Sequence, residues 1–134
     1  MVLNMSGTGV PDLIKLGVKI GANLKADNVE AAQVNKLLEL LNSEEDERTA
    51  VALVAIFAHR QANRGYMRQG SAREISMAMR QILAMGDGNK LKENARRVLG
   101  TAKWVYESLG RVKQPPDRIR GISDIPELLK LLEG

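Results

Sequence analysis

The chain of 134 residues contains no cysteine, and only 3% of its residues are aromatic. The absence of cysteine excludes disulfides and thiolate metal sites, and it is typical of an intracellular protein. Sheet cores are built largely from β-branched and aromatic side chains, whereas a core rich in alanine, leucine and methionine suits packed helices. The composition therefore predicts an all-α fold.

Long apolar runs are also absent. The longest one, residues 50–58, is far shorter than the ~20 residues of a membrane-spanning helix. Residues 1–10 have neither the basic start nor the apolar stretch of a secretory signal. We therefore expect a cytoplasmic protein that does not contact a membrane.

Residues able to carry out catalysis are scarce. The single histidine, His59, has no cysteine and no second histidine with which to complete a catalytic or metal site. Residues 86–90, Gly-Asp-Gly-Asn-Lys, lack the Lys-Ser/Thr ending of a phosphate-binding loop and the alternating acids and closing glutamate of a calcium loop. The sequence predicts a protein that is not an enzyme and that uses no cofactor and no metal.

Apolar residues at helical spacing predict a compact bundle of five helices and a short C-terminal sixth. Pro11 suits the first turn of helix one, and Gly65 suits the end of helix three, because a glycine readily takes the left-handed conformation there. We expect one helical domain over residues 1–134, with a flexible arm at residues 1–10 and a basic, proline-containing loop at residues 111–121.

Two pairs of polar residues have the spacing of capping boxes. Asp27 and Glu30 precede the apolar stripe of helix two, and Ser71 and Glu74 precede that of helix four. Asp124, together with Glu127, is predicted to cap the short last helix. Residues 49–58 are apolar on nearly every side, which is typical of a helix surrounded by others. Helix three is therefore predicted to be the centre of the bundle.

Charge is distributed unevenly along the chain, although the net charge is only +4. Residues 48–121 carry fifteen lysines and arginines against five acids, whereas residues 1–47 and 122–134 are net acidic. A basic segment of this size attracts polyanions and speeds their encounter. Nucleic acid is therefore the first partner to consider.

The basic residues recur at helical spacing and form rows along three of the predicted helices. Such rows favour a face that contacts phosphates, and these contacts position a nucleic acid without reading its sequence. Tyr66, between Arg64 and Arg68, is a candidate for stacking on a base. The predicted nucleic-acid-binding residues are Arg60, Arg64, Tyr66, Arg68, Arg73, Arg80, Lys92, Arg96, Lys103, Arg111 and Lys113.

Trp104 stands out because it points away from the apolar stripe of helix five, where a bundle helix should be polar. Either the last helix or the proline-rich loop covers it, or it is exposed. An exposed tryptophan would mark a subunit interface or a platform on which a base stacks. We take it as a candidate for a subunit interface.

Three segments carry a resemblance to a known family: Gln33–Leu38 (QVNKLL), Ala58–Gln61 (AHRQ) and Leu99–Tyr106 (LGTAKWVY). With these, the chain resembles the small helical subunits of type III CRISPR RNA-guided effector complexes, which act in antiviral defence. The resemblance implies a non-catalytic subunit that stacks against backbone subunits and sibling copies, with the nuclease activity in other subunits.

The resemblance also implies which surfaces meet which partners. A basic groove would follow the target RNA strand in the duplex of guide crRNA and target, and Trp104 with the acidic first two helices would contact neighbouring subunits. The implied groove residues are Arg60, Arg64, Arg68, Lys92, Arg96 and Lys103.

Two other interpretations stay open from the residues alone. Helices three and four could form the helix-turn-helix of a DNA-binding regulator, although the connection over residues 59–70 is longer than the usual turn of about three or four residues. Alternatively, the chain could be a helical scaffold whose basic face binds an acidic protein.

Overall fold

The computed structural model describes residues 9–86 and 90–134, and in these ranges all regular secondary structure is helical. The α-helices are α1 (Val10–Ala26), α2 (Ala31–Ser43), α3 (Glu47–Asn63), α4 (Gln69–Ala84), α5 (Leu91–Ser108), α6 (Pro116–Arg120) and α7 (Ile125–Glu133), and a 3-10 turn spans Leu109–Arg111. The predicted all-α fold is confirmed. Residues 1–8, most of the predicted arm, lie outside the described part of the chain.

The described ranges hold one α-helix more than predicted, because α6 forms within the segment expected to be a loop. Pro115 is extended and precedes α6, and Pro116 is its first residue. A proline lacks the N–H that the first turn leaves unpaired, so it can begin a helix that it could not continue. The N–H groups of Arg118 and Ile119 both donate to the carbonyl of Pro115.

The closest helix contact joins α1 to α5, which run parallel. A Cβ on Gly17 would lie 2.6 Å from the Cβ of Thr101, and a Cβ on Gly21 would lie 2.5 Å from the carbonyl oxygen of Ala102. Real side chains do not approach to these distances, so only glycine allows the two backbones to come so close. The two glycines therefore set the spacing between α1 and α5.

The remaining helices complete a bundle around one large apolar cluster. α3 and α4 form an antiparallel hairpin, α2 packs against α3 and α5, and α4 also contacts α1. A second, smaller cluster joins α6 and α7 to the outer side of α1 and α5. Its buried members are Val18, Ala22, Val105, Leu109, Ile119, Ile122 and Leu128.

The prediction that α3 is the centre of the bundle is wrong. Ile56 is 62% exposed, and Leu53 and Phe57 are only partly buried. Each of α1 to α5 keeps some residues in solvent, because the five helices surround a shared core and none is enclosed by the others. The buried side of α3 consists mainly of alanine and valine.

Two acidic residues act as N-caps. Asp46 accepts hydrogen bonds from the backbone N–H of Thr49 at 3.0 Å and from its hydroxyl at 2.7 Å. The hydroxyl contact contributes most to a lowered pKa of Asp46, followed by the backbone contact. Asp124 accepts from the backbone N–H of Glu127 at 3.0 Å and begins α7. Both caps satisfy donors that a helix start otherwise leaves unpaired.

The two predicted capping boxes are absent. α4 already begins at Gln69, so Ser71 lies inside it and donates instead to the carboxylate of Asp27. Glu74 forms an ion pair with Lys19 at 3.5 Å. Glu30 is the N-cap residue of α2, but its side chain makes no capping hydrogen bond. Residues distant in the sequence thus bind Asp27, Ser71 and Glu74 in place of the predicted capping partners.

The two ends of the bundle differ, and we name them by their connections. The loop end carries the α1–α2 turn (residues 27–30) and the α3–α4 loop (residues 64–68), which line a common pocket. The acidic end carries the α2–α3 turn with Glu44, Glu45 and Asp46, together with the start of α5. Within the described residues, no helix is both long and apolar enough to span a bilayer.

Candidate nucleic-acid interface

Local sequence fixes the backbone of the α3–α4 loop. Arg64 follows the last residue of α3, and Gly65 takes a φ of 86°. The N–H of Gly65 donates to the carbonyl of Ala62, and that of Tyr66 to the carbonyl of Gln61. This pair of bonds is a Schellman motif, which requires the left-handed residue that glycine supplies. The predicted end of α3 at Gly65 is therefore confirmed.

Four of the predicted arginines gather around this loop. Arg60 and Arg64 lie in the last turn of α3 and just after it, Arg68 immediately precedes α4, and Arg73 lies in its second turn. All four are exposed. The loop end therefore presents a cluster of guanidinium groups, which we call the arginine cluster.

A buried pair of glutamines positions Arg60. The side-chain amide of Gln61 donates to the side-chain oxygen of Gln33 at 2.7 Å, which links α3 to α2. The guanidinium of Arg60 donates to the side-chain oxygen of Gln61 at 3.0 Å. Both glutamines are buried. The Gln61 oxygen that accepts from the exposed guanidinium of Arg60 is therefore held in a fixed position.

Tyr66 lies beside Arg64 in the loop. The guanidinium carbon of Arg64 is 5.2 Å from the centroid of the Tyr66 ring, within the range of a cation–π contact, which contributes about 0.5–1 kcal/mol at an exposed site. The ring is still 40% exposed. An aromatic surface is therefore held next to cations and remains open to solvent.

No arginine of the cluster forms an ion pair with a carboxylate among the described residues. Residues 60–80 contain five arginines and a single acid, Glu74, whose carboxylate pairs with Lys19. Among the residues that the structure describes, Lys19 and Arg120 are the only basic side chains with a carboxylate oxygen within 4.0 Å. The arginine cluster is thus free to attract an external anion.

Lys92 and Arg96, which the resemblance assigns to the same groove, lie at the acidic end. The ammonium of Lys92 donates to the carbonyl of Glu44 at 2.6 Å, and its backbone N–H donates to the carboxylate of Glu47 at 3.0 Å. Arg96 donates to the side-chain oxygen of Asn42 at 3.1 Å. α3 separates this end from Arg64 by about 25 Å, given the rise of ~1.5 Å per residue. These contacts tie α5 to the end of α2.

The other predicted contact residues are dispersed. Arg80 lies on the outer side of α4 beside the exposed Met77, and Lys103 is partly buried on α5. Arg111 and Lys113 are exposed and follow α5 past the loop end, where the Tyr106 hydroxyl donates to the carbonyl of Val29. Burial raises the pKa of Tyr106, with smaller contributions from Glu30 and Glu107.

Trp104 is the most exposed large apolar residue among those described, at 76%. Neither α7 nor the segment with Pro115 and Pro116 covers it, so of the two alternatives for this residue the exposed one holds. Its role at a subunit interface stays a prediction.

One polar cluster at the loop end has no counterpart in the sequence prediction. Asp27, whose side chain is 2% exposed, accepts hydrogen bonds from Ser71 and, at 2.7 Å, from the guanidinium of Arg120. Arg120 also binds Asp117 at 3.0 Å. The cluster connects α1, α4 and α6. No local pattern indicates it, because Asp27 is 44 and 93 residues from its two partners.

Comparisons with protein-family models, with curated proteins and with solved structures give no significant match for this chain. The candidate interface is therefore defined by its own geometry and charge.

Proposed function

We propose that the chain is a non-catalytic RNA-binding protein that contacts RNA through the arginine cluster and Tyr66. The observation that carries this proposal is the set of exposed arginines without carboxylate partners around a partly exposed aromatic ring. Guanidinium groups bind phosphates in a bidentate manner. Aromatic rings stack on bases of any sequence.

A single strand fits this surface better than a duplex. The bases of an unpaired strand are accessible to an aromatic side chain, whereas those of a duplex are already stacked on one another. The proposed ligand is therefore an unpaired stretch of RNA.

The helix-turn-helix alternative is disfavoured by how α3 and α4 pack. Arg48 near the start of α3 donates to the carbonyl of Leu83 near the end of α4 at 3.5 Å. At the other end of the pair, Gln69 donates to Asn63 at 3.1 Å. The two helices thus lie alongside each other from end to end, whereas a helix-turn-helix crosses its helices at about 90–120°.

We further propose that the protein serves in a type III CRISPR effector complex, as a small helical subunit beside backbone subunits and sibling copies. This step is supported by the resemblance of the three segments described above. Two of them meet in the fold, since Gln33 of the first is hydrogen-bonded to Gln61 of the second. Trp104 and the first two helices are the surfaces offered to neighbouring subunits. These helices are not themselves acidic, since α1 carries three lysines against one acid and α2 carries one of each, and the acids of residues 1–47 lie mostly in the turns beside them.

The RNA-binding proposal is tested by reversing charge at the loop end. The triple variant Arg64→Glu, Arg68→Glu, Arg73→Glu is expected to lose affinity for single-stranded RNA by about 100-fold, because three attractions become repulsions. Anisotropy titrations with single-stranded RNA, single-stranded DNA and duplex DNA of equal length measure this, and circular dichroism verifies the fold.

The matched control is Lys15→Glu, Arg97→Glu, Lys130→Glu, which makes the same change in net charge at exposed positions elsewhere. It should bind almost as well as the wild type. Equal losses in the two triple variants would show that net charge alone drives binding and would contradict the proposed surface. Failure of the wild type to bind any nucleic acid would leave the acidic-protein scaffold as the better interpretation.

The subunit role has a separate readout. A tagged chain recovered from its native cells after ultraviolet cross-linking should carry repeat-derived guide RNA or the targets of such guides. Recovery of unrelated RNA alone would contradict membership of an RNA-guided complex while leaving RNA binding intact.

A further inference from the structure

A polar pocket lies at the loop end, directly beside the arginine cluster. It has a volume of about 570 Å³ and lies between the α1–α2 turn and the α3–α4 loop. This size is within the range of small-ligand sites, about 300–1,000 Å³. Its lining residues are Asp27, Asn28, Glu30, Gly65, Tyr66, Met67 and Arg68.

The charged lining residues differ in their freedom to bind a ligand. The carboxylate of Asp27 is buried and already bonded to Ser71 and Arg120, so it is part of the pocket wall. Glu30 is exposed, and in the described ranges its carboxylate has no hydrogen-bond or ion-pair partner. Arg68 is likewise exposed and without a carboxylate nearby in those ranges. The pocket therefore offers one free acceptor group and one free cation.

These two groups line the same pocket as Tyr66, and the combination restricts the ligand. A simple anion would be repelled by Glu30, and a simple cation would be repelled by Arg64 and Arg68. A nucleotide suits both the carboxylate and the arginines, because its base edge can donate hydrogen bonds to the carboxylate while its negative phosphate is attracted to the arginines. Its base also has the flat face that stacks on an aromatic ring.

We propose that this pocket takes an unstacked guanine base from the bound RNA strand. Tyr66 stacks on the base, Glu30 accepts hydrogen bonds from the N1–H and the 2-amino group, and Arg68 holds the adjoining phosphate. An ionised carboxylate is an acceptor only, with two oxygens side by side. Guanine is the RNA base whose pairing edge presents two adjacent donors, so it gains a bidentate contact that adenine, cytosine and uracil do not.

This assignment rests on the proposed RNA binding and adds a base preference to it. The test uses short oligouridines that carry one central guanosine, inosine or adenosine. Inosine keeps the N1–H but lacks the 2-amino group. The wild type should bind the guanosine oligonucleotide about tenfold more tightly than the other two, which is the discrimination expected of one bidentate contact.

Two variants assign the preference to the pocket. Glu30→Gln should remove the preference for guanosine and leave the affinity for plain oligouridine intact, whereas Tyr66→Leu should weaken binding of every oligonucleotide. The control Glu39→Gln changes an exposed acid further along the same helix and should keep the tenfold preference. Circular dichroism of each variant confirms that the helices are retained.

Equal affinity of the wild type for the three substituted oligonucleotides would overturn the guanine site while RNA binding stands. Absence of binding to any oligonucleotide would overturn the guanine site and the proposed function together. The source of the guanine is checked with GMP: if GMP shifts the NMR signals of the Tyr66 ring but the guanosine oligonucleotide is not preferred, the pocket serves a free nucleotide and the strand assignment is wrong.

Discussion

Asp27 shows how much a single residue can contribute at the loop end. Its carboxylate is almost completely buried, yet it is compensated by the Ser71 hydroxyl and the Arg120 guanidinium. A buried charge is tolerated only when it is paired and hydrogen-bonded. The same carboxylate forms part of the wall of the proposed guanine pocket, so its partners also hold that wall in place.

Substitution of Asp27 by alanine is predicted to destabilise the fold by about 2–3 kcal/mol. Breaking a fully buried ion pair costs ~3–5 kcal/mol, and the loss here is smaller because the Arg120 side chain is 30% exposed and can be hydrated. Urea unfolding followed by circular dichroism measures the change.

The control for this prediction is Asp117→Ala. Asp117 contacts the same guanidinium at 3.0 Å, but its side chain is 99% exposed, and exposed pairs contribute little. Similar losses in the two variants would mean that the buried contacts of Asp27 have no special weight.

At the scale of elements, α1 and α5 depend on a pair of glycines spaced four residues apart. Gly17 and Gly21 lie on one side of α1 because positions i and i+4 share a helix face. The parallel pairing of α1 and α5 fixes the direction of α5. It therefore decides which end of the bundle each end of α5 reaches. Its start reaches the acidic end, and its finish lies at the loop end.

Gly21→Ala is predicted to destabilise the protein by about 1–3 kcal/mol, because its methyl group would force the backbones of α1 and α5 apart. Gly100→Ala, in the middle of α5, should do the opposite. Nothing lies within 4 Å of a Cβ at Gly100, so alanine there should stabilise the helix by about 0.5–1 kcal/mol. Denaturant unfolding gives both values, and changes of the same sign would refute the close α1–α5 contact.

Sequence patterns predicted the features of these elements that depend on neighbours along the chain. The cap at Asp124 and the end of α3 at Gly65 involve partners within five residues. Ser71 and Asp27 have the spacing of caps as well, but distant partners bind them more favourably in the folded state. The spacing of residues along the chain does not reveal which polar side chains will bind residues that are distant in the sequence.

For the same reason, only part of the candidate site could be predicted from the sequence. Helical spacing correctly indicated that Arg73 and Arg80 point outward on α4. It also placed Lys92 and Arg96 on one side of α5, but that side meets the end of α2. A row of side chains on one side of a helix forms a binding surface only when no other element covers it. Whether it is covered depends on the packing of the whole bundle.

For the whole molecule, the two ends use their basic residues differently. At the acidic end, Lys92 and Arg96 are bonded to Glu44 and Asn42 and join helices together. At the loop end, the arginine cluster has no carboxylate partners among the described residues. The acids at the loop end, Asp27 and Glu30, form no ion pair with the cluster in the described residues, so its arginines stay available to an external anion.

This division predicts different effects for two single substitutions. Lys92→Met removes a charge-assisted hydrogen bond to the Glu44 carbonyl but keeps the length of the side chain, so it should lower the free energy of unfolding by about 1 kcal/mol. It should leave the salt dependence of RNA binding unchanged. Arg68→Gln should do the reverse: stability stays the same, and the slope of log K against log salt becomes shallower by about 0.7, the value for one phosphate contact on a single strand.

Unfolding curves and RNA titrations over a series of salt concentrations measure both quantities for each variant. If Lys92→Met reduced the salt slope as much as Arg68→Gln, Lys92 would contact phosphate, and the RNA path would have to cover the ~25 Å between the two ends. If neither variant changed the slope, the phosphates would lie away from Arg68. Each phosphate contact releases counterions when RNA binds, so the loss of a contact must make the slope shallower.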